Sequence, residues 1–257
     1  MWVSVGIVGI VVVSALTAQG MVLPIAGAMV AVAVYWAVMR YVAHRAAPEI
    51  GRARAGRLAL LGGVIGFGFV AVSMLAVVTE FSFTANSGDT FHIIAGIAAV
   101  SIGAAVTEEL IFRGLLLQAL ERLCGSWVAL AITALLFGGL HLANPGATLW
   151  SSFAIAVEAG VLLGAAFLWK RNIWLVVGLH FTWNTTIGLI GTPVSGHPSS
   201  GLLITTPTGP TLLTGGDFGL EASVVPVVVS VLLAIPMLVA AHRRGNIVPF
   251  RRNQRVG

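Results

Sequence analysis

Charge is scarce in this chain. Only 9% of its 257 residues are Asp, Glu, Lys or Arg, against about a quarter in an ordinary soluble domain. With 58% hydrophobic residues and a mean hydropathy of +0.99, a soluble protein is excluded and a polytopic membrane protein is expected. Cysteine is nearly absent, and the single Cys124 rules out an internal disulfide. No Gly-x-Ser-x-Gly and no rhomboid-like Ser/His pairing supports a serine nucleophile, and there is no His-Glu-x-x-His zinc signature. The net charge of +5 does not point to nucleic acid, because the basic residues are spread between apolar runs.

What the chain does have is apolar windows of spanning length. Eight are read, at residues 2–18, 21–40, 58–78, 92–112, 127–143, 151–169, 173–191 and 223–241. The first ends in Ser14-Ala15-Leu16-Thr17-Ala18, small enough for signal cleavage, but no Lys or Arg precedes it, so it is read as a span. The expected fold is an all-α membrane protein of about eight transmembrane helices with an intramembrane active-site cavity. Residues 1–91 hold three N-terminal helices. Residues 92–191 form a motif-bearing bundle, 192–222 an outer loop rich in Gly, Pro and Thr, and 223–257 the last helix with a basic tail. Turns rather than helix are expected in the loop, as a solvated connector or a lid.

Charge sorting gives an orientation. Arg40, Arg45, Arg52, Arg54 and Arg57 lie between spans two and three, and Arg113 and Arg122 at or after the end of span four. Lys170 and Arg171 join spans six and seven, and Arg243, Arg244, Arg251, Arg252 and Arg255 follow span eight. With a cytoplasmic N-terminus all 14 basic residues fall on the cytoplasmic side. The opposite loops carry Glu80, Asp89, Asp217 and Glu221 and no Lys or Arg. A bacterial plasma membrane with both termini cytoplasmic is the expected location.

Within this apolar text stand Glu108 and Glu109, followed by Arg113. A charge in hydrocarbon costs a few kcal/mol on insertion scales and marks a functional site by default. Side chains four apart on a helix share a face. Glu109 with Arg113 is therefore read as an ion pair that supports the site, whereas Glu108, about 100° further round, faces a cavity. Phe137 with His141 and His180 with Asn184 repeat the four-residue spacing on two later spans. A lone intramembrane His is usually a satisfied core residue, and a lone Asn a packing amide. Together with Glu108 they form a candidate catalytic set: Glu108, His141, His180 and Asn184. Glu158, central in span six, either pairs with a histidine or Asn184 or only cross-links helices.

Three ordered motifs, Glu108-Glu109…Arg113, Phe137…His141 and His180…Asn184, resemble those of an intramembrane endopeptidase family. That family includes the type II CAAX prenyl proteases and the bacteriocin-processing or self-immunity proteins. The resemblance covers roughly residues 92–190. The His-Phe-x-Trp-Asn and Gly-Gly-x-Phe-Gly text between Leu179 and Glu221 also looks like a bacterial subgroup. The resemblance implies a peptide-bond hydrolase in which Glu108 and His141 activate water while His180 and Asn184 hold the oxyanion. A metal-free site is favoured. Zinc on Glu108, His141 and His180, with an open position for water, is the alternative. The implied partners are the bilayer and a membrane-associated peptide or protein substrate, with the oligomeric state left open. A proton-coupled transporter and a non-catalytic immunity-type binding protein are the competing functions.

One geometric difficulty accompanies that set. With span four ending at 112, Glu108 lies about 24 Å below its outer end, and His141 about 21 Å above the inner end of span five. Straight helices of that length would keep the two residues apart. Tilt, or a fifth span that starts deep, would bring them together.

Overall fold

The computed structural model describes residues 1–250. The basic tail residues Arg251, Arg252 and Arg255 lie outside the described residues. The architecture is helical apart from one two-stranded sheet. Six helical stretches are long and apolar enough to cross a membrane: Leu23–Val42, Ala55–Glu80, Thr90–Ala143, Leu149–Lys170, Ile173–Ile190 and Val224–Arg243. In chain order the helices are α1 (Trp2–Leu16), α2 (Leu23–Ala37), α3 (Ala55–Val77), α4 (Thr90–Glu109) and α5 (Gln118–Leu140). Then follow α6 (Leu149–Ile155), α7 (Leu163–Lys170), α8 (Ile173–Ile190), the single turn α9 (Thr211–Thr214) and α10 (Val224–Arg243). Six stretches differ from the expected eight for two reasons. At 15 residues α1 is only about 22 Å long, short of the ~30 Å hydrocarbon core. Thr90–Ala143 is one continuous stretch where two spans were expected.

That stretch doubles back on itself. Gly125 adopts φ 75°, ψ 168° inside it, a conformation open to glycine and not to other residues. The rings of Phe112 and Phe137, on either side of this turn, are 4.7 Å apart. The helix therefore runs past 112, the end expected from sequence, as far as the residue before Gly125. Arg113, taken as a boundary residue, lies inside the bundle at 2% exposure. This removes the geometric difficulty. Glu108 precedes the turn by 17 residues and His141 follows it by 16, so equal lengths of helix bring them to one level.

Three wide π-helical segments interrupt the rods, at Val38–Val42, Leu110–Leu117 and Ala156–Leu162. Such segments leave carbonyls without their usual partner four residues on and are frequent at functional sites. At the arginine-bearing end, Arg45 bridges Glu49 at 2.7 Å, and Glu49 also accepts from Tyr35 Oη. Gln118 Nε2 donates to Gly114 O at 2.8 Å, so this cluster ties the end of α2 to the π segment that follows Glu109.

Helix α8 is seated by a glycine seam. A Cβ at Gly66 of α3 would lie 2.3 Å from Leu179 O, and one at Gly178 of α8 would lie 2.1 Å from Ala59 O. Only bare backbone permits that approach, the usual device for close helix contact in lipid. The 192–222 segment holds more order than expected. Strand β2 (Leu203–Pro207) pairs antiparallel with β1 (Phe81–Ala85), Phe83 facing Thr205. Short helical turns follow, including α9 and Leu220–Ala222. The expectation of turns alone missed the β-branched run Ile204-Thr205-Thr206 as a strand.

Candidate active site

Glu108 and Glu109 occupy the last turn of α4, just ahead of the π segment. Successive positions on a helix point about 100° apart, and the two carboxylates meet different surroundings. Glu109 is fully buried. Its Oε1 accepts from Arg113 Nη1 at 3.0 Å, the expected ion pair, and bonds His180 Nδ1 at 2.8 Å. The second of these was not foreseen. Arg113 also donates to the carbonyls of Ala159 and Gly160, which lie in the Ala156–Leu162 π segment where such carbonyls come free. Its guanidinium lies 5.2 Å from the Phe137 ring centroid. The charge in the bundle is thus answered on every side.

Glu108, in contrast, is about one third exposed and faces open space. Its Oε2 is 4.0 Å from His180 Nε2. His180 therefore has a carboxylate near each ring nitrogen. His141 follows the end of α5, stacked on Phe137 with centroids 4.7 Å apart. Its Nδ1 lies 2.7 Å from Phe137 O. Since a carbonyl can only accept, Nδ1 carries the proton and Nε2 is left as an acceptor for the cavity. Asn184, 8% exposed, lies one turn beyond His180 on α8, and among the described residues its amide has no partner.

Glu108, His141, His180 and Asn184 all line one cavity of ≈ 830 Å³. Its walls run from Asp89 and His92, at the start of α4, to the two histidines and Glu108. That is about 28 Å along α4. The 192–222 segment closes one side through Ser195, His197 and Ser199. A narrower void of ≈ 420 Å³ lies between α1, α2 and α4, and it shares Val100, Ala104 and Glu108 with the first. Glu108 belongs to the wall of both.

Glu158 takes neither of its expected partners. It is fully buried, lies off the cavity, and neither carboxylate oxygen has a hydrogen-bond partner among the described residues. Glu221, assigned only to the outer loop, lines the cavity at 2% exposure and accepts from the Ser195 backbone N–H. The one sequence signal for it was an acid within apolar text, Phe218-Gly219-Leu220-Glu221-Ala222.

The zinc set was Glu108, His141 and His180. Both histidines have Nδ1 engaged, as metal-bound histidines do. Yet among the described residues no three His, Cys, Asp or Glu side chains come close enough together to hold a metal ion. The three share a cavity without converging on one point.

The convergence of the three motifs on one cavity is matched by an independent comparison. Residues 90–186 match the family model of the type II CAAX prenyl endopeptidases, Rce1-like. The matched segment begins at α4 and ends within α8, so it holds all seven motif residues. It is a protease family, which with the apolar helices supports an integral membrane protein of CAAX-protease-like type. No curated protein and no solved structure matches the chain.

Proposed function

We propose that this protein hydrolyses an internal peptide bond of a membrane-associated protein or peptide, in the cavity between α4, α5 and α8. The observation that carries the reading is the meeting of Glu108, His141, His180 and Asn184 on one void. In the proposed reaction Glu108 takes a proton from water, and the unprotonated Nε2 of His141 orients that water. Hydroxide adds to the carbonyl carbon, and the carbonyl oxygen becomes an oxyanion. His180, with a carboxylate on each side, carries a proton on Nε2 and donates it as a hydrogen bond to that oxygen. The Asn184 amide, free of protein partners, supplies a second donor. The C–N bond then breaks, and the proton held by Glu108 passes to the leaving amine. Glu109 fixes the His180 ring through Nδ1, as the carboxylate of a hydrolase triad does. The proposed route uses these side chains alone.

We further place eight crossings in the bilayer, counting α1 and both arms of the Gly125 hairpin, with the termini cytoplasmic in a bacterial plasma membrane. The cavity mouth at Asp89 and Ser195–Ser200 then opens outside. Arg45, Arg57, Arg122 and Arg171 lie at the other helix ends.

The test compares membranes holding wild type with membranes holding Glu108→Ala, searching for peptides released only by the former. Glu108→Ala, His141→Ala and His180→Ala should each abolish release at normal expression. Pairs should be no worse than singles, as for residues that act as one unit. Asn184→Ala should lose roughly 10²–10³ in turnover, and chelators should leave activity intact. A Glu108→Ala protein with undiminished function would favour the immunity-type binder. Activity lost on chelation and regained with zinc would defeat the metal-free route.

A further inference from the structure

The cavity carries charge of one sign. Asp89 stands at the mouth, Glu221 on the wall and Glu108 at the inner end, and no Lys or Arg is among the described residues that line it. The buried guanidinium of Arg113 is turned to Glu109 and two carbonyls. The only lining groups able to become cations are His92, His141, His180 and His197. Of these, His92 pairs with Asp89 at the mouth and His180 with Glu109.

Glu221 is the carboxylate whose placement the reaction does not explain. It is 2% exposed, and its Oε2 is satisfied by the Ser195 N–H. The Ser195 hydroxyl also favours the ionised carboxyl, while Oε1 accepts no further bond among the described residues and is not among the sealed, orphaned atoms, so it reaches the void. The one protonatable side chain that favours its ionised form is His180, which Glu109 already engages, so a buried carboxylate here gains from a cation that a ligand supplies. Glu108, on the same cavity, adds further negative charge. Burial pushes the Glu221 carboxyl up to about 7, so an arriving ammonium or guanidinium would displace a proton held near neutrality.

We propose that Glu221 is a specificity-determining residue that receives a lysine or arginine side chain of the substrate, so that the cavity selects a segment carrying one positive charge beside the bond to be cut. The proposal rests on the protease reading for the word substrate, but the charge preference itself needs only binding. The three carboxylates then act in series: Asp89 attracts the segment at the mouth, Glu221 holds the cation, and Glu108 meets the peptide bond beyond it.

The test uses three fluorescein-labelled peptides of one leucine–alanine sequence, with lysine, norleucine or glutamate at a single central position. Anisotropy is read on the purified full chain in detergent. The lysine peptide should bind about tenfold tighter than the norleucine peptide, the worth of one charge-assisted hydrogen bond, and the glutamate peptide weakest. Glu221→Gln keeps an acceptor for Ser195 N–H and should erase the lysine preference without altering norleucine affinity, while Glu221→Asp should retain it. Three peptides that bind wild type alike overturn the proposal, whether or not any variant folds. So does a lysine preference that survives in Glu221→Gln. Cleavage of all three without preference would sink this inference and leave the protease reading standing. A preference with no cleavage of any would do the reverse.

Discussion

Glu109 serves two neighbours with one oxygen. Its Oε1 meets both Arg113 and His180, and Oε2 has no partner among the described residues. Glu109→Leu should therefore do two kinds of damage. Arg113 is left unpaired in the bundle, costing about 3–5 kcal/mol, the usual penalty for breaking a buried pair. His180 also loses the group that fixes its ring. Glu109→Leu/Arg113→Leu should recover much of the thermal stability in detergent but none of the activity. A double variant less stable than both singles would count against the ion pair, and an active one against the Glu109–His180 bond. Glu221 gives a pH signature. Its carboxyl is raised by burial from 4.5 to about 7, so the unfolded chain releases this proton before the folded one does. Its contribution to stability is full below about pH 4.5 and is lost as pH rises through about 7, by about 3 kcal/mol at most. Glu221→Gln should thus melt higher than wild type around pH 8 and converge with it in acid. A wild type that melts higher at alkaline pH would exclude the buried carboxyl. The pairing of Glu109 with Arg113 was legible because helix spacing alone puts them together. The roles of Glu221 and of the Glu109–His180 bond were not, because both depend on packing between segments far apart in the chain.

At the scale of elements, hydropathy located the rods and misjudged one end. Arg113 looked like a membrane boundary because a charge in apolar text usually is one. Glu109 and the π-segment carbonyls neutralise it, so the helix continues to the Gly125 turn. Hydropathy does not register a π segment, since it changes hydrogen bonding and not composition. Nor did composition reveal β1 and β2, which are short and lie in loops. The seating of α8 is open to test. Gly66→Leu places side-chain atoms where Leu179 backbone now sits, and should reduce folded yield and activity together. At Gly68, two residues on, a Cβ would meet nothing within 4 Å, so Gly68→Leu should be within about 0.5 kcal/mol of wild type. Equal effects at the two positions would show that α3 and α8 do not meet through this seam.

For the whole molecule, sidedness sets the face from which the cavity is entered. The proposed topology puts Cys124, beside the Gly125 turn, in the cytoplasm and Ser200, on the cavity rim, outside. In intact cells an impermeant thiol reagent should label Ser200→Cys and spare native Cys124. The opposite pattern would invert the molecule. The place of Glu108 on two walls bears on the same question of access. A cutting group at the bottom of a blind pit can reach only the tip of whatever is lowered in. Glu108 instead lines two voids, one of ≈ 830 Å³ and one of ≈ 420 Å³. A strand seated in both would pass the carboxylate with polymer continuing on either side. The endopeptidase proposed above would there have room for a thread on both sides of the cut, with a separate berth for each end.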